Sequence, residues 1–337
     1  MLRHVDIAVF AHNEQESLPA LIGDLDRQAV INDPDIELRI RVLCNGCRDR
    51  TVEVAKEAVA ASMNLSPITN IDNFVEGGKA LTWNRYVSAL PENSHFVIFM
   101  DGDIRIKDIN ALSHLLDDLQ QSEVAVAATS RPTKDLCRIR RNPLLRAATR
   151  LTGRDHRDGP ICGQLYVVKA STVRQIRLPV PCLVEDGFLS ACLVTGLFTH
   201  QGQPQRVKAS PRVSHYFEVP GSLREFFHHD IRLRLGSELN AALYTDLWAA
   251  KSVKERIEIL KQLSESKGID FSIDEHQKHP ERSALFGQKF LSPVFDNKKK
   301  KLFKIILNIP FHFSHCLYMV AVRHRAKKLF TERKFQW

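Results

Sequence analysis

Phe96-Val97-Ile98-Phe99-Met100-Asp101-Gly102-Asp103 is the stretch whose reading decides the fold. Phe96–Met100 is an unbroken apolar run, the pattern of a strand buried on both faces. Strands of that kind belong to sheets with helices packed on either side. The run stops abruptly on two carboxylates separated by one glycine. In an open parallel sheet, ligands bind beyond the carboxyl ends of the strands, so Asp101 and Asp103 stand where chemistry is expected.

Working outward from this strand, similar short runs occur at Val5–Phe10, Leu38–Leu43, Pro67–Ile71 and Val124–Thr129. Helical periodicity fills the gaps at Glu16–Arg27, Thr51–Ala61, Gly78–Leu90 and Asp108–Leu119. Strands separated by helices of this length imply right-handed βαβ units and a mostly parallel sheet. Residues 131–159 are Arg-rich and look irregular. A strand is expected again at Gln164–Val168, then helices at Asp186–Leu193 and Gly221–Tyr244. After Lys251 the pattern is helical and charged, interrupted by a polar stretch at Asp274–Arg282, and no internal repeat is visible.

Composition excludes a disordered or fibrous chain: of 337 residues, 44% are hydrophobic and 26% charged. The length suits one large α/β domain with an appendage, or two small domains. No stretch of membrane-spanning length is free of polar breaks, and Met1–His4 runs straight into Val5–Phe10 with no small-residue cleavage site. Seven cysteines without a regular framework suit a reducing cytosol, so a cytoplasmic location is expected. The net charge of +9 is local. Residues from Phe295 to Trp337 carry eleven Lys/Arg against two Asp/Glu, which accounts for all of it. A second patch, Arg131–Gly159, holds nine Lys/Arg against three Asp, leaving the body mildly acidic. That is not the footprint of a protein gripping a duplex, and no nucleic acid is expected as a partner.

Polar residues follow three strands that converge on one sheet edge. Ala11-His12-Asn13-Glu14 follows the first, Asn45-Gly46-Cys47-Arg48-Asp49 the second, and Asp101-Gly102-Asp103 the fourth. Two carboxylates at a strand end can share Mg²⁺ or Mn²⁺, which take their remaining ligands from phosphate and water. Asp-Gly is equally ordinary turn chemistry. Glu185-Asp186 opens a helix, where an acid can take a proton from a hydroxyl or simply complement the helix dipole. Gly77-Gly78-Lys79 lacks P-loop spacing, and an exposed lysine at a helix start is its plain explanation. Cys44 and Cys47 form a CxxC without a second pair, so they are taken as small turn or buried residues. Gly159–Gln164 precedes a strand and suits either a ligand pocket or a turn. His228 and His229 are adjacent on a helix and cannot face one ligand together.

The order of these motifs resembles the family 2 glycosyltransferases over about residues 5–236. The resemblance implies a GT-A fold (a Rossmann-like, mostly parallel sheet with flanking helices) and a nucleotide-diphospho-sugar donor. It matches Asn13 and Glu14 to the first donor-binding turn. It matches Asn45 and Asp49 to a nucleobase turn in which Cys47 replaces the usual Ser. Lys79, with Asn84, corresponds to the Lys-Gly-x-Ala-x-Asn segment. Asp101 and Asp103 correspond to the Asp-x-Asp that holds ribose and metal, with Asp103 as the Mg²⁺ or Mn²⁺ ligand. The Glu-Asp pair with its catalytic base corresponds to Glu185 and Asp186. The last motif, Gln/Arg-x-x-Arg-Trp, is eroded to His229-Asp230-Ile231-Arg232-Leu233. Only Arg232 is kept, which implies single-sugar addition rather than processive synthesis.

The resemblance therefore implies a hexosyltransferase that inverts the anomeric carbon and serves polysaccharide or glycolipid biosynthesis. Asp186 would deprotonate an acceptor hydroxyl on a glycan or lipid-linked sugar. A cation at Asp103, with Lys79 or Arg232 nearby, would stabilise charge on the leaving nucleotide. Two other classes stay open: a nucleotidyltransferase acting on sugar phosphates, whose Gly-rich N-terminal signature is missing from Ala8–Ser17, and a non-catalytic lipid- or RNA-binding adaptor. The expected organisation is a catalytic domain over 1–245 and a helical extension over 246–337. In that extension Lys298–Lys301 and a cluster at Arg323–Lys328 flank the apolar run Leu302–Val322. Its polar breaks suit an interfacial helix on anionic lipid at the inner face of the cytoplasmic membrane, or a helix packed on the domain with a solvated basic face.

Overall fold

The computed structural model describes residues 2–136 and 157–265, together with residues 318, 320–322, 324–326, 328 and 329. The stretch Asp274–Arg282, the Lys298–Lys301 cluster, most of Leu302–Val322 and most of the Arg-rich segment lie outside these. The described strands are β1 (Arg3–Ala11), β2 (Ile36–Asn45), β3 (Thr69–Phe74), β4 (Phe96–Asp101), β5 (Ile104–Arg105), β6 (Ala127–Asp135), β7 (Leu165–Lys169) and β8 (Val207–Glu218). The helices are α1 (Leu18–Asp26), α2 (Thr51–Ala60), α3 (Lys79–Ser88), α4 (Ala111–Gln120), α5 (Ala170–Val173), α6 (Glu185–Val194), α7 (Leu223–Ala249) and α8 (Val253–Leu263).

One sheet runs in the order β3-β2-β1-β4-β7-β6-β8-β5. Its first half is parallel throughout, with Phe10 opposite both Leu43 and Asp101, so the ends of β1, β2 and β4 come level. Its second half is mixed, because β7 runs antiparallel between β4 and β6. The period-2 alternation of the strands divides the core. Val5, Ile7 and Val9 pack with Leu21 and Leu25 of α1 and with Leu112, Leu115 and Leu119 of α4. Ala8, Phe10, Val97 and Phe99 face Trp83 and Tyr86 of α3, with Phe188 and Leu189 of α6 and Leu243 and Leu247 of α7 on the same side. The result is an α/β sheet covered by helices on both faces, with further helices after it.

Two expectations change. Residues 131–135 are not irregular, because β6 continues to Asp135 after a register shift between Thr129 and Arg131. Strand β8 had no counterpart in the sequence reading. Its pairing skips the residues around Pro211, which lacks a donor for the ladder, and that interruption breaks the alternation.

The C-terminal residues sit on α7. Val322, Ala326 and Leu329 are buried with Ile231, Leu235, Leu239 and Leu183, while the Tyr318 hydroxyl donates to Asp230 Oδ2 at 2.7 Å. His324, Arg325 and Lys328 face outward. Among the described residues, no helix is long and apolar enough to cross a membrane.

Candidate functional site

The turns after β1 and β2 are latched to one another before any ligand is considered. The Asn13 side chain, on a residue with φ 57°, accepts from the Arg48 amide at 2.8 Å. Asn45 is buried, donating to the Ala11 carbonyl and accepting from the Gly78 amide. Asp49 accepts from the amides of Thr51 and Gln15 and from the Thr51 hydroxyl. Desolvation is the largest single influence and pushes its carboxyl up, but those hydrogen bonds together outweigh it and leave the pKa below the ordinary value. Asn13, Asn45 and Asp49 thus shape the edge of the site through the loops they hold. Gly46 is required here: its φ is +63°, and a Cβ on it would lie 2.6 Å from Gly77 Cα.

Ionic contacts centre on Lys79, the first residue of α3. Its Nζ lies 2.5 Å from Asp101 Oδ1 and 3.1 Å from Glu185 Oε1. The three side chains are between 21% and 28% exposed, too enclosed for a merely solvated lysine. The exposed-lysine reading is therefore corrected: the sheet edge and α6 enclose a position that looked free because neither partner is near it in sequence. Burial pushes the Lys79 ammonium down, and the two carboxylates overcome that and raise its pKa.

Asp101 is held from behind, its amide donating to the Gln164 carbonyl and the next amide, of Gly102, to the Phe10 carbonyl. Burial raises its carboxyl to about 6; Lys79 opposes the shift and Asp103 adds to it. Asp103 is raised by burial and by the charge of Glu14, with Lys79 opposing. Glu14 is raised by burial, opposed by the Ser17 hydroxyl that donates to it, and raised further by Asp101. Glu218, at the end of β8, adds negative charge to both Glu14 and Asp103. The sequence reading missed it, because β8 was not seen. The resulting patch of negative charge has Lys79 as its inner counter-ion, leaving Asp103 as the carboxylate suited to a cation. Among the described residues, no three His, Cys, Asp or Glu side chains gather closely enough to hold a metal by themselves. A cation here would draw most of its ligands from phosphate and water, as Mg²⁺ and Mn²⁺ do.

Asp186 lies in the first turn of α6, its Oδ1 accepting from the Gly187 amide at 2.8 Å. The Gly159–Gln164 segment closes over it. A Cβ on Gly163 would meet Asp186 Cβ at 2.9 Å, and the Gly163 carbonyl lies 3.5 Å from Lys79 Nζ. The same segment is anchored by the Ile161 and Cys162 amides, which donate to Ser190 and Thr129. Behind it His215 is fully buried, and burial lowers its pKa to about 4. The Ser130 hydroxyl lies within hydrogen-bond distance of the Leu165 carbonyl and, at 2.7 Å, of His215 Nδ1, while His215 Nε2 faces Gln164 Oε1 at 3.2 Å. The structure thus brings Glu14, Lys79, Asp101, Asp103 and Glu185 into one electrostatic cluster, with Asp186 next to Glu185.

Arg232 stands apart, half-buried on α7; among the described residues, the ionic partners of Lys79 are Asp101 and Glu185. Among the described residues, Cys44 and Cys47 belong to no cluster of metal-ligating side chains; burial raises Cys44 to about 12, and Cys47 Sγ points at the Ala11 carbonyl.

The sequence model of glycosyl transferase family 2 matches residues 6–174, half of the chain. Similar solved structures include a mannosyltransferase from Pyrobaculum calidifontis in complex with GDP-Man and Mn²⁺, at 15% identity and TM-score 0.60, covering 99% of this chain and 88% of that one. TarS 1–349 of S. aureus in complex with UDP matches at 12% identity and TM-score 0.47, covering 82% of this chain and 74% of its own. Glucosyl-3-phosphoglycerate synthase from Mycobacterium tuberculosis, with Mg²⁺ and uridine diphosphate, matches at 17% identity and TM-score 0.46, covering 74% and 81%. No curated protein matches. The sheet and its flanking helices share the GT-A architecture of the first of these neighbours.

Proposed function

The chain belongs to glycosyl transferase family 2, and from that premise we propose that it moves a sugar from a nucleotide-diphospho-sugar to an acceptor hydroxyl with inversion. One observation carries the reading: Lys79 bridges Asp101 and Glu185, which joins the Asp-Gly-Asp strand end to the Glu-Asp helix start. The donor's diphosphate is assigned to the side of Asp101, Asp103 and Lys79. The loops held by Asn13, Asn45 and Asp49 frame its nucleoside, with Glu14 behind them. Asp103 would hold Mg²⁺ or Mn²⁺, which supplies positive charge to the leaving diphosphate. Lys79 contributes a fixed cation on the same side, and Arg232 is assigned to the phosphates from α7. Asp186 takes the acceptor proton as the hydroxyl attacks from the opposite face of the sugar.

The acceptor is assigned to the class of glycans or lipid-linked sugars, in polysaccharide or glycolipid synthesis, and the transferred group to a hexose. The charge of residues 295–337 supports a role near an anionic lipid surface, tested by co-sedimentation with anionic vesicles at low and high salt. The direct test of the reaction is a panel of UDP-, GDP- and dTDP-sugars, scored by thermal shift with Mn²⁺ and with chelator. At least one donor is expected to stabilise the protein only with the metal, and Asp103→Asn to lose that dependence. No metal-dependent shift with any donor, or an unchanged one in Asp103→Asn, overturns the assignment.

A further inference from the structure

Helix α7 meets the start of α6 on three successive turns. At Gly236 the backbones are so close that a Cβ would lie 2.5 Å from Val184 Cγ2 and 2.9 Å from Leu183 Cβ. One turn later Asn240, which is 4% exposed, donates from Nδ2 to the Val184 carbonyl at 2.9 Å. Its Oδ1 faces Cys182 Sγ at 3.9 Å. After another turn the Tyr244 hydroxyl donates to the Gly187 carbonyl at 3.1 Å. Positions 236, 240 and 244 follow the four-residue spacing that puts side chains on one helix face.

What they grip is the segment that aims the Glu-Asp pair. The Val184 carbonyl already accepts the first hydrogen bond of α6, from the Phe188 amide, and Asn240 supplies its second donor. The side chain of Val184 is pinned between Gly236 and Gly187, whose own Cβ position is 3.1 Å from Val184 Cγ1. Glu185 and Asp186 lie between these gripped residues, while the Gly163 backbone presses on Asp186 from the other side. The side chains of Asn240 and Tyr244 reach the Val184 and Gly187 carbonyls, not Lys79, Asp101 or Asp103, so the grip acts on one wall of the site.

We infer that Asn240, seconded by Tyr244, is a positioning residue: it fixes the N-terminus of α6 so that Asp186 is held at the distance and angle its proton transfer needs. The inference rests on the assignment of Asp186 as the base. Small displacements of a reacting group cost rate out of proportion to stability, on the order of 10²-fold for 1 Å. Donor binding, carried mainly by Asp101 and Asp103 on the opposite wall, is expected to change little.

The experiment compares wild type, Asn240→Leu and Tyr244→Phe as full-length proteins. Asn240→Leu is expected to lower kcat by roughly 10- to 100-fold while the donor Kd, measured by calorimetry, moves less than about twofold. Tyr244→Phe should lower kcat by a few-fold in the same pattern, and it serves alone if Asn240→Leu does not fold. Amide hydrogen exchange supplies the readout independent of turnover, accelerating in peptides covering residues 183–190 and not in those covering 96–103. Unchanged kcat, equal losses of kcat and donor affinity, or unchanged exchange over 183–190 overturns the inference. If wild-type protein transfers no sugar at all, the base assignment fails, while the exchange arm still decides whether Asn240 fixes the helix start.

Discussion

The parallel half of the sheet, β1 to β4, and the mixed half beyond it hold their functional residues by different means. In the first, Asn13, Asn45, Asp101 and Asp103 are strand ends or the turns directly after them, and β-pairing brings those ends level. In the second, Glu185 and Asp186 open a helix whose place is fixed by α7, with hydrogen bonds spanning 56 and 57 residues of chain. Lys79 is the bridge between the halves. Local strand geometry is enough to aim the residues proposed to bind the donor, whereas the proposed base facing them is delivered from elsewhere in the chain and clamped.

If that division holds, damage to each half has its own signature. The largest effect belongs to the second half: Asp186→Asn should cut transfer by about 10³-fold, since general-base catalysis supplies that order of rate. Donor affinity measured on the same protein should be unchanged, and turnover near wild type would reduce Asp186 to a helix-dipole acid. In the first half, Gly46→Val forces a branched side chain to a positive φ and against Gly77. It should destabilise by about 3 kcal/mol, the sum of backbone strain and overpacking. Denaturant unfolding gives that number, and donor affinity should fall with it.

Removing the bridge tests whether the halves depend on each other. Lys79→Met leaves Asp101 and Glu185 without their shared cation. Breaking a fully buried pair costs about 3–5 kcal/mol, and partial exposure reduces this to roughly 1–2 kcal/mol. Both donor affinity and kcat should drop, in contrast to the split expected of Asp186→Asn. The smallest effect is that of pH. Asp101 binds its proton more tightly than an ordinary carboxyl, with a pKa of about 6, and protons compete with a cationic or phosphate-bound metal for this strand end. Metal-dependent donor affinity should therefore be full near pH 8, fall about twofold by pH 6, and weaken about tenfold per unit well below that. A flat titration from pH 8 to pH 5 would exclude Asp101 from donor binding.

The half assigned to the donor was legible because its signals are contiguous. The apolar run Phe96–Met100 names its own strand, and Asp101-Gly102-Asp103 names what the strand presents. The same holds for Val5–Phe10 with Asn13 and for Leu38–Leu43 with Asn45, although the structure spends those amides on latching the loops. Lys79 was marked by its motif yet not by its environment, since its partners lie 22 and 106 residues away. Glu218 went unseen because Pro211 and the register shift interrupt the strand that carries it.

By itself the sequence determined the α/β class, the order of the parallel strands' elements and which carboxylates stand at their ends. Hydrophobic periodicity and strand termination are local properties, written in consecutive residues. Only the tertiary structure decided that Lys79 pairs with both Asp101 and Glu185, that Asn240 holds the helix bearing Asp186, and that Val322, Ala326 and Leu329 cover α7. Each of those contacts joins segments distant along the chain. Its free energy depends on packing and burial that exist only once the sheet has brought the segments together.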